Sequence, residues 1–281
     1  MRSLPKPAFN ASEVLNACIA SIRDLNLSGK LLRVANNVVL AEATYLARGN
    51  DMTLYAISPS DGVAGVLTTA EMMRVYAGTF VKSVRGRAMY DSLKAAPRND
   101  ICPLCAQRTV STLDHYLAQS VHANLIVVPI NLVPACAECN KSKLNYQPKS
   151  DVEQGFHPYF DNFDDAQWLS AQVVQGSPPA LRFSVSPPPG WSPTKISRAD
   201  WHFMAFNLAA LYASHAGVEL NNIRFSLERI AQFGTPDDVR AFLVDRAESA
   251  RRAYLNGWQT ATYQALGASD WFCNGGFQTQ Q

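Results

Sequence analysis

Apolar residues recur at helical spacing through much of the chain. Over residues 11–25, Val14, Leu15, Cys18, Ile19 and Ile22 fall three or four apart, which predicts an amphipathic helix. Asn26-Leu27-Ser28-Gly29 reads as a turn, and a second helix is predicted over residues 30–48, with Gly49 and Asn50 as its stop signal. Residues 52–57 read as a short strand before a turn rich in Ser, Pro and Gly. Thr68 followed by Glu71 is a capping-box pattern for a helix through Phe80, and residues 84–93 are helical up to the break at Pro97. Helices return at residues 199–216, 218–233 and 236–266. The last is opened by Thr235-Pro236, with Asp237 and Asp238 beside the positive end of the helix dipole. Residues 176–194 hold six prolines and read as a linker or irregular crossing, with Ala180–Val185 as a candidate strand inside it.

The length, 281 residues, corresponds to about two domains and is enough to bury a core without disulfides. With 47% hydrophobic and 17% charged residues, the chain is neither disordered, collagenous nor a charged tail. A net charge of +2 supplies no overall cationic field, so any nucleic-acid contact must come from a local patch. One exists between residues 84 and 150. Arg85, Arg87, Lys94, Arg98, Arg108, Lys141, Lys143 and Lys149 there face only Asp91, Asp100, Asp114 and Glu138. No apolar run has the length of a membrane span or a signal peptide, so a cytoplasmic protein with no membrane partner is expected.

Six cysteines are too few for a disulfide scaffold. Four of them form two C-x2-C pairs, Cys102/Cys105 and Cys136/Cys139, and four thiolates in that pattern suit tetrahedral zinc. A site closed by four sulfurs has no open position, so this zinc is expected to be structural. Between and beside the pairs lie polar residues with catalytic potential: Asp114-His115 after the first, Asn131 shortly before the second, and Asn140 directly after it. Lys141 and Lys143 follow, as phosphate contacts or as a solvated face.

Asp114-His115, Asn131 and Asn140 framed by two zinc knuckles resemble the HNH endonuclease superfamily. The resemblance covers about residues 101–143. It implies a ββα-metal fold and hydrolysis of DNA phosphodiester bonds, leaving 5′-phosphate and 3′-hydroxyl ends. His115 would be the general base, Asp114 and Asn140 would bind a catalytic Mg²⁺ or Mn²⁺, and Asn131 would hold the loop carrying His115. The chemistry suits these residue types, since a neutral imidazole can take a proton from water and two oxygen ligands suit a hard divalent cation. Three positions depart from the family pattern. Asn140 stands where the name implies His, Ala118-Gln119 where Pro-Lys is frequent, and Ala106 where Gly is frequent.

The expected fold is therefore α+β, mostly α: an N-terminal helical region (1–97), the zinc-stapled nuclease module (98–175), a Pro-rich linker (176–197) and a C-terminal helical region (198–281). Standalone HNH proteins with long helical additions resemble effectors of anti-phage or mobile-element systems, some paired with an ATPase. That resemblance implies DNA and an ATPase or other defence-system subunit as partners. One metal site makes one nick, so double-strand cutting calls for a homo-oligomer or two visits. The competing reading is a non-catalytic zinc-stapled module that binds DNA or protein. His122 reads as peripheral, and His157, in an aromatic turn, as a packing residue or a phosphate contact.

Overall fold

Helix α1, Ala11–Ile19, begins at an Asn10–Glu13 capping box. It stops six residues short of the expected end because Asp24 caps a new helix, accepting from the Asn26 and Leu27 N–H groups at 3.0 and 3.1 Å. Helix α2, Leu25–Asn50, thus absorbs the expected 26–29 turn into its first turn. Gly29 meets nothing there, so it costs only about 1 kcal/mol of helix propensity. Gly49 lies inside the last turn, where a Cβ would run into the Phe160 ring. The expected strand at 52–57 is instead a 3-10 turn, Leu54–Ala56. Met52 turns the chain at φ 57°, and the Tyr55 N–H goes to the Gln154 side chain rather than to a neighbouring strand.

The computed structural model describes Met1–Gln278, so the last three positions of the expected 198–281 region lie outside the described residues. Strands β1 (Gly62–Val63) and β2 (Leu67–Thr68) pair antiparallel. Helix α3, Thr69–Val75, starts at the Thr68–Glu71 capping box and widens into a π turn over Tyr76–Phe80. Helix α4, Val84–Lys94, carries Gly86 so close to the Thr79 and Phe80 backbone that no Cβ would fit. Strands β3 (Thr112–His115) and β4 (Leu132–Ala135) form an antiparallel pair in which Asp114 faces Val133 and His115 faces Leu132. Helix α5, Ala137–Lys143, follows directly. The core of this unit, Met1–Asn162, gathers Val14, Leu31, Val38, Tyr45, Met72, Phe80, Val127 and Leu132.

The second unit is Phe163–Gln281. Its hairpin pairs β5 (Leu169–Val174) with β6 (Ala180–Val185), and its helices are α6 (Pro193–Ala205), α7 (Leu208–Phe233), α8 (Pro236–Ala253) and α9 (Trp258–Ala268). The Pro-rich stretch is therefore no linker: it holds the hairpin turn, β6, and a helix start at Ser192-Pro193, where Ser192 caps Lys195 N. The break expected at Gly217 falls instead at Asn207, at φ 48°, a conformation Asn tolerates. The helix expected over 236–266 is interrupted at Asn256-Gly257. The buried Asn256 amide accepts from Trp168 N at 2.8 Å and donates to Phe163 O and Ala166 O, both at 3.0 Å. The chain is mostly helical with small antiparallel sheets, and no helix among the described residues is long and apolar enough to cross a membrane.

Candidate functional site

The two C-x2-C turns are brought together from either side of the β3–β4 pair. Cys102 N donates to Arg108 O and Ala106 N to Cys102 O, both at 2.8 Å, which closes the first knuckle. Ala106 pays for this turn with φ 53°, the left-handed region that glycine enters freely. In the second knuckle the Cys136 sulfur caps α5, accepting from Cys139 N at 3.4 Å; in the first, Arg108 N donates to the Cys105 sulfur at 3.4 Å. Arg108 and Glu138 form an ion pair at 3.9 Å across the knuckles.

All four cysteines are buried, and their sulfurs lie within 4.8 Å of one another, with Cys105 and Cys136 at 4.0 Å. Tetrahedral zinc with about 2.3 Å bonds needs sulfurs about 3.8 Å apart, so the cluster fits the ion. None of the six cysteines is in a disulfide. Contacts among the clustered thiols hold Cys105 and Cys136 below the ordinary thiol range and Cys102 and Cys139 above it. Four thiolates this close need a cation if all are to ionise.

Beside the cluster opens a cavity of about 610 Å³ whose lining includes Asp114, His115, Asn140, Lys141, Tyr76 and Tyr90. The fold thus brings three of the four polar candidates to one space. Asn140 reaches it because it directly follows Cys139, and its N–H donates to Cys136 O at 3.1 Å. His115 is 6% exposed, and its Nε2 lies 2.8 Å from Ile126 O, a carbonyl that can only accept. The proton therefore sits on Nε2 and the lone pair on Nδ1. The Tyr76 ring packs against the imidazole at 4.8 Å, and burial lowers its pKa to about 4, so it is neutral at pH 7.

Asp114 is 5% exposed, and burial raises its pKa to about 6 against the opposing pull of Lys143. Lys143, expected as a phosphate contact or on a solvated face, is neither at the surface nor solvated. It is 9% exposed, with Nζ 3.2 and 3.3 Å from the two Asp114 oxygens and 2.7 Å from His115 O. Its position three residues beyond Asn140, on the same helical face, was the available sequence signal. Asn131 lies outside the cavity lining and is wholly buried. Its Oδ1 accepts from Leu117 N at 2.8 Å and its Nδ2 donates to Leu117 O at 3.0 Å, bracing the turn just after His115.

His157 is also wholly buried, so it packs rather than contacting a ligand at the surface. Tyr159 N donates to its Nδ1 at 3.2 Å, leaving Nε2–H for the Tyr45 oxygen at 2.9 Å. Its ring lies 4.2 Å from that of Tyr116, the residue after His115. His122 bonds Gln147 at 2.9 Å, in the segment between β3 and β4.

The four cysteines thus form a soft cluster that could hold a zinc ion, and the oxygen-bearing side chains Asp114 and Asn140 line an adjacent cavity. No family model matches the chain, and no solved structure matches it. What fold and site define is a mostly helical protein with a buried four-cysteine cluster suited to zinc. Among curated proteins it is similar to Protein ea31 of Escherichia phage lambda, at 27% identity over 296 aligned residues, covering 98% of this chain and 100% of that protein.

Proposed function

We propose that this chain is a metal-dependent endonuclease of HNH type that hydrolyses DNA phosphodiester bonds. The carrying observation is the juxtaposition in one cavity of Asp114, Asn140 and a neutral His115 whose Nε2–H is tied to a backbone carbonyl. His115 takes a proton from water at Nδ1, since Nε2 is committed to Ile126 O. Asp114 and Asn140 hold Mg²⁺ or Mn²⁺, which when bound supplies Lewis-acid stabilisation of charge on the phosphoryl and leaving oxygens. Asn131 keeps the following turn in place through Leu117, and Lys141 on the cavity lining offers a phosphate contact. The four cysteines hold a structural zinc that fixes β3, β4 and α5.

A role in anti-phage or mobile-element systems, with an ATPase or similar subunit as partner, is part of this reading. The likeness to a phage protein is compatible with it. A homo-oligomer would allow double-strand cutting. The rival is a non-catalytic DNA- or protein-binding module, which has no use for a lone pair on a buried histidine at a cavity wall. The test is nicking of supercoiled plasmid with Mg²⁺ or Mn²⁺ by wild type and His115→Gln. Relaxation by wild type alone supports the nuclease. Equal relaxation by both removes His115 as the base, and silence of both, with and without a co-expressed partner, favours the binding module.

A further inference from the structure

A lysine with 9% exposure, held against a carboxylate that lines an open cavity, is unusual, because burying an ammonium is costly and returns little net stability even when it is paired. Lys143 spends its three donors on Asp114 and His115 O. Both Asp114 oxygens are thereby engaged by a positive charge at 3.2 and 3.3 Å. A divalent ion taking either oxygen would meet a like charge at short range beside a buried pair, where repulsion is strong. The end of α5 that carries Lys143 is also under constraint. Leu144, on the cavity lining and 68% exposed, sits at φ 48° and ψ −128°, a backbone state leucine rarely adopts.

We infer that Lys143 is a tethered counter-ion that holds Asp114 in the metal-free protein and is displaced from the carboxylate when a divalent cation loads. This rests on the metal-binding reading proposed above and adds what controls that site. Lys143 is then a positioning residue that sets the concentration at which the site fills. Before loading it keeps the buried carboxylate oriented. On loading, its ammonium swings out past the strained turn at Leu144, toward solvent or a substrate phosphate.

The test is Mn²⁺ binding to the zinc-loaded full chain, read by the loss of the free-ion electron paramagnetic resonance signal, for wild type, Lys143→Gln, Lys143→Arg and Asp114→Asn. Lys143→Gln keeps a donor for His115 O and removes the charge, so it is expected to bind Mn²⁺ at least about tenfold more tightly than wild type. Lys143→Arg keeps the charge and should stay within a few-fold of wild type, and Asp114→Asn should lose the site. Binding by Lys143→Gln equal to or weaker than wild type overturns the inference while leaving the metal site standing. Equal tightening in Lys143→Gln and Lys143→Arg assigns the effect to packing and also overturns it. No Mn²⁺ bound by wild type or Lys143→Gln overturns both the inference and the metal-binding reading. Zinc content and a melting transition confirm that each variant is folded; if Lys143→Gln is not, Lys143→Met carries the same expectation.

Discussion

Replacing His115 separates what its ring does for the fold from what it does for chemistry. In His115→Ala the Ile126 carbonyl loses its partner in a buried site, at about 1–2 kcal/mol. The ring contact with Tyr76 goes as well, at about 0.5–1.5 kcal/mol, and the space left behind adds about 1 kcal/mol. The sum is about 2.5–4.5 kcal/mol, which in a unit the size of Met1–Asn162 lowers Tm by about 5–18 °C. A glutamine can place its terminal N–H₂ where the imidazole Nε2–H stood, so His115→Gln should lose only about 1 kcal/mol while retaining no base. Urea denaturation measures the stabilities and plasmid nicking the chemistry. Equal stability of His115→Ala and wild type would refute the buried hydrogen bond, and wild-type nicking by His115→Gln would refute the base.

Cys136→Ser should release zinc and unfold the cluster region, because the ion's binding energy is folding energy; a normal melting transition with zinc retained would count against the four-sulfur site. The same pair of proteins, wild type and His115→Gln, tests the buried imidazole by pH. Its folded pKa of about 4 lies below the usual 6.5, so its contribution is full above 6.5 and is lost as pH falls through 4. The difference between wild type and His115→Gln should move by about 3 kcal/mol between pH 7 and pH 4, turning a wild-type advantage of about 1 kcal/mol into a deficit of about 2 kcal/mol, and a constant gap would show that the ring is solvated. Asp114 opposes this, since a pKa raised to about 6 gives stability that is lost as pH rises through 6; stability of His115→Gln should therefore fall between pH 4 and 6 where wild type is nearly level. Gly86→Ala drives a methyl into the Thr79 and Phe80 backbone and should cost about 2–3 kcal/mol, whereas a gain in stability would mean α4 stands further off.

Signals carried by residues close in sequence were legible, and those set by distant partners were not. The Thr68–Glu71 cap and the helix start at Thr235-Pro236 need only neighbours a few residues apart, and both form. The two cysteine pairs were legible because metal ligation leaves few spacings that work, and the sulfurs do converge. Asp24 misled the reading of 26–29 since the turn propensity of Asn, Ser and Gly is weaker than a side chain accepting two backbone N–H groups. Asn256-Gly257 was a readable turn signal inside an apparently continuous helix, and what fixes it is the far-off Phe163–Leu169 segment. Strand β5 has no alternation strong enough to announce it and exists through its pairing with β6. Lys143 could be placed on the Asn140 face of a helix by spacing, but only the fold of β3 against α5 shows that it meets Asp114.

The chain connectivity makes the cavity depend on the cluster. β3 follows the first knuckle closely, and β4 runs straight into Cys136, whose backbone and sulfur both bind the first turn of α5. Asn140 and Lys143 hang from that helix, so their approach to Asp114 is set by where Cys136 and Cys139 sit. A helix of seven residues has too few internal hydrogen bonds to hold that position alone. Withdrawing zinc should therefore loosen α5 before it unfolds the helical core of the unit, and the Lys143–Asp114 contact should be lost first. Hydrogen exchange after chelation reads this directly: amides of Asn140 and Leu144 should lose protection while those of α2 keep it. Loss of protection in α2 and α5 together would mean that the cluster supports the whole unit rather than the site.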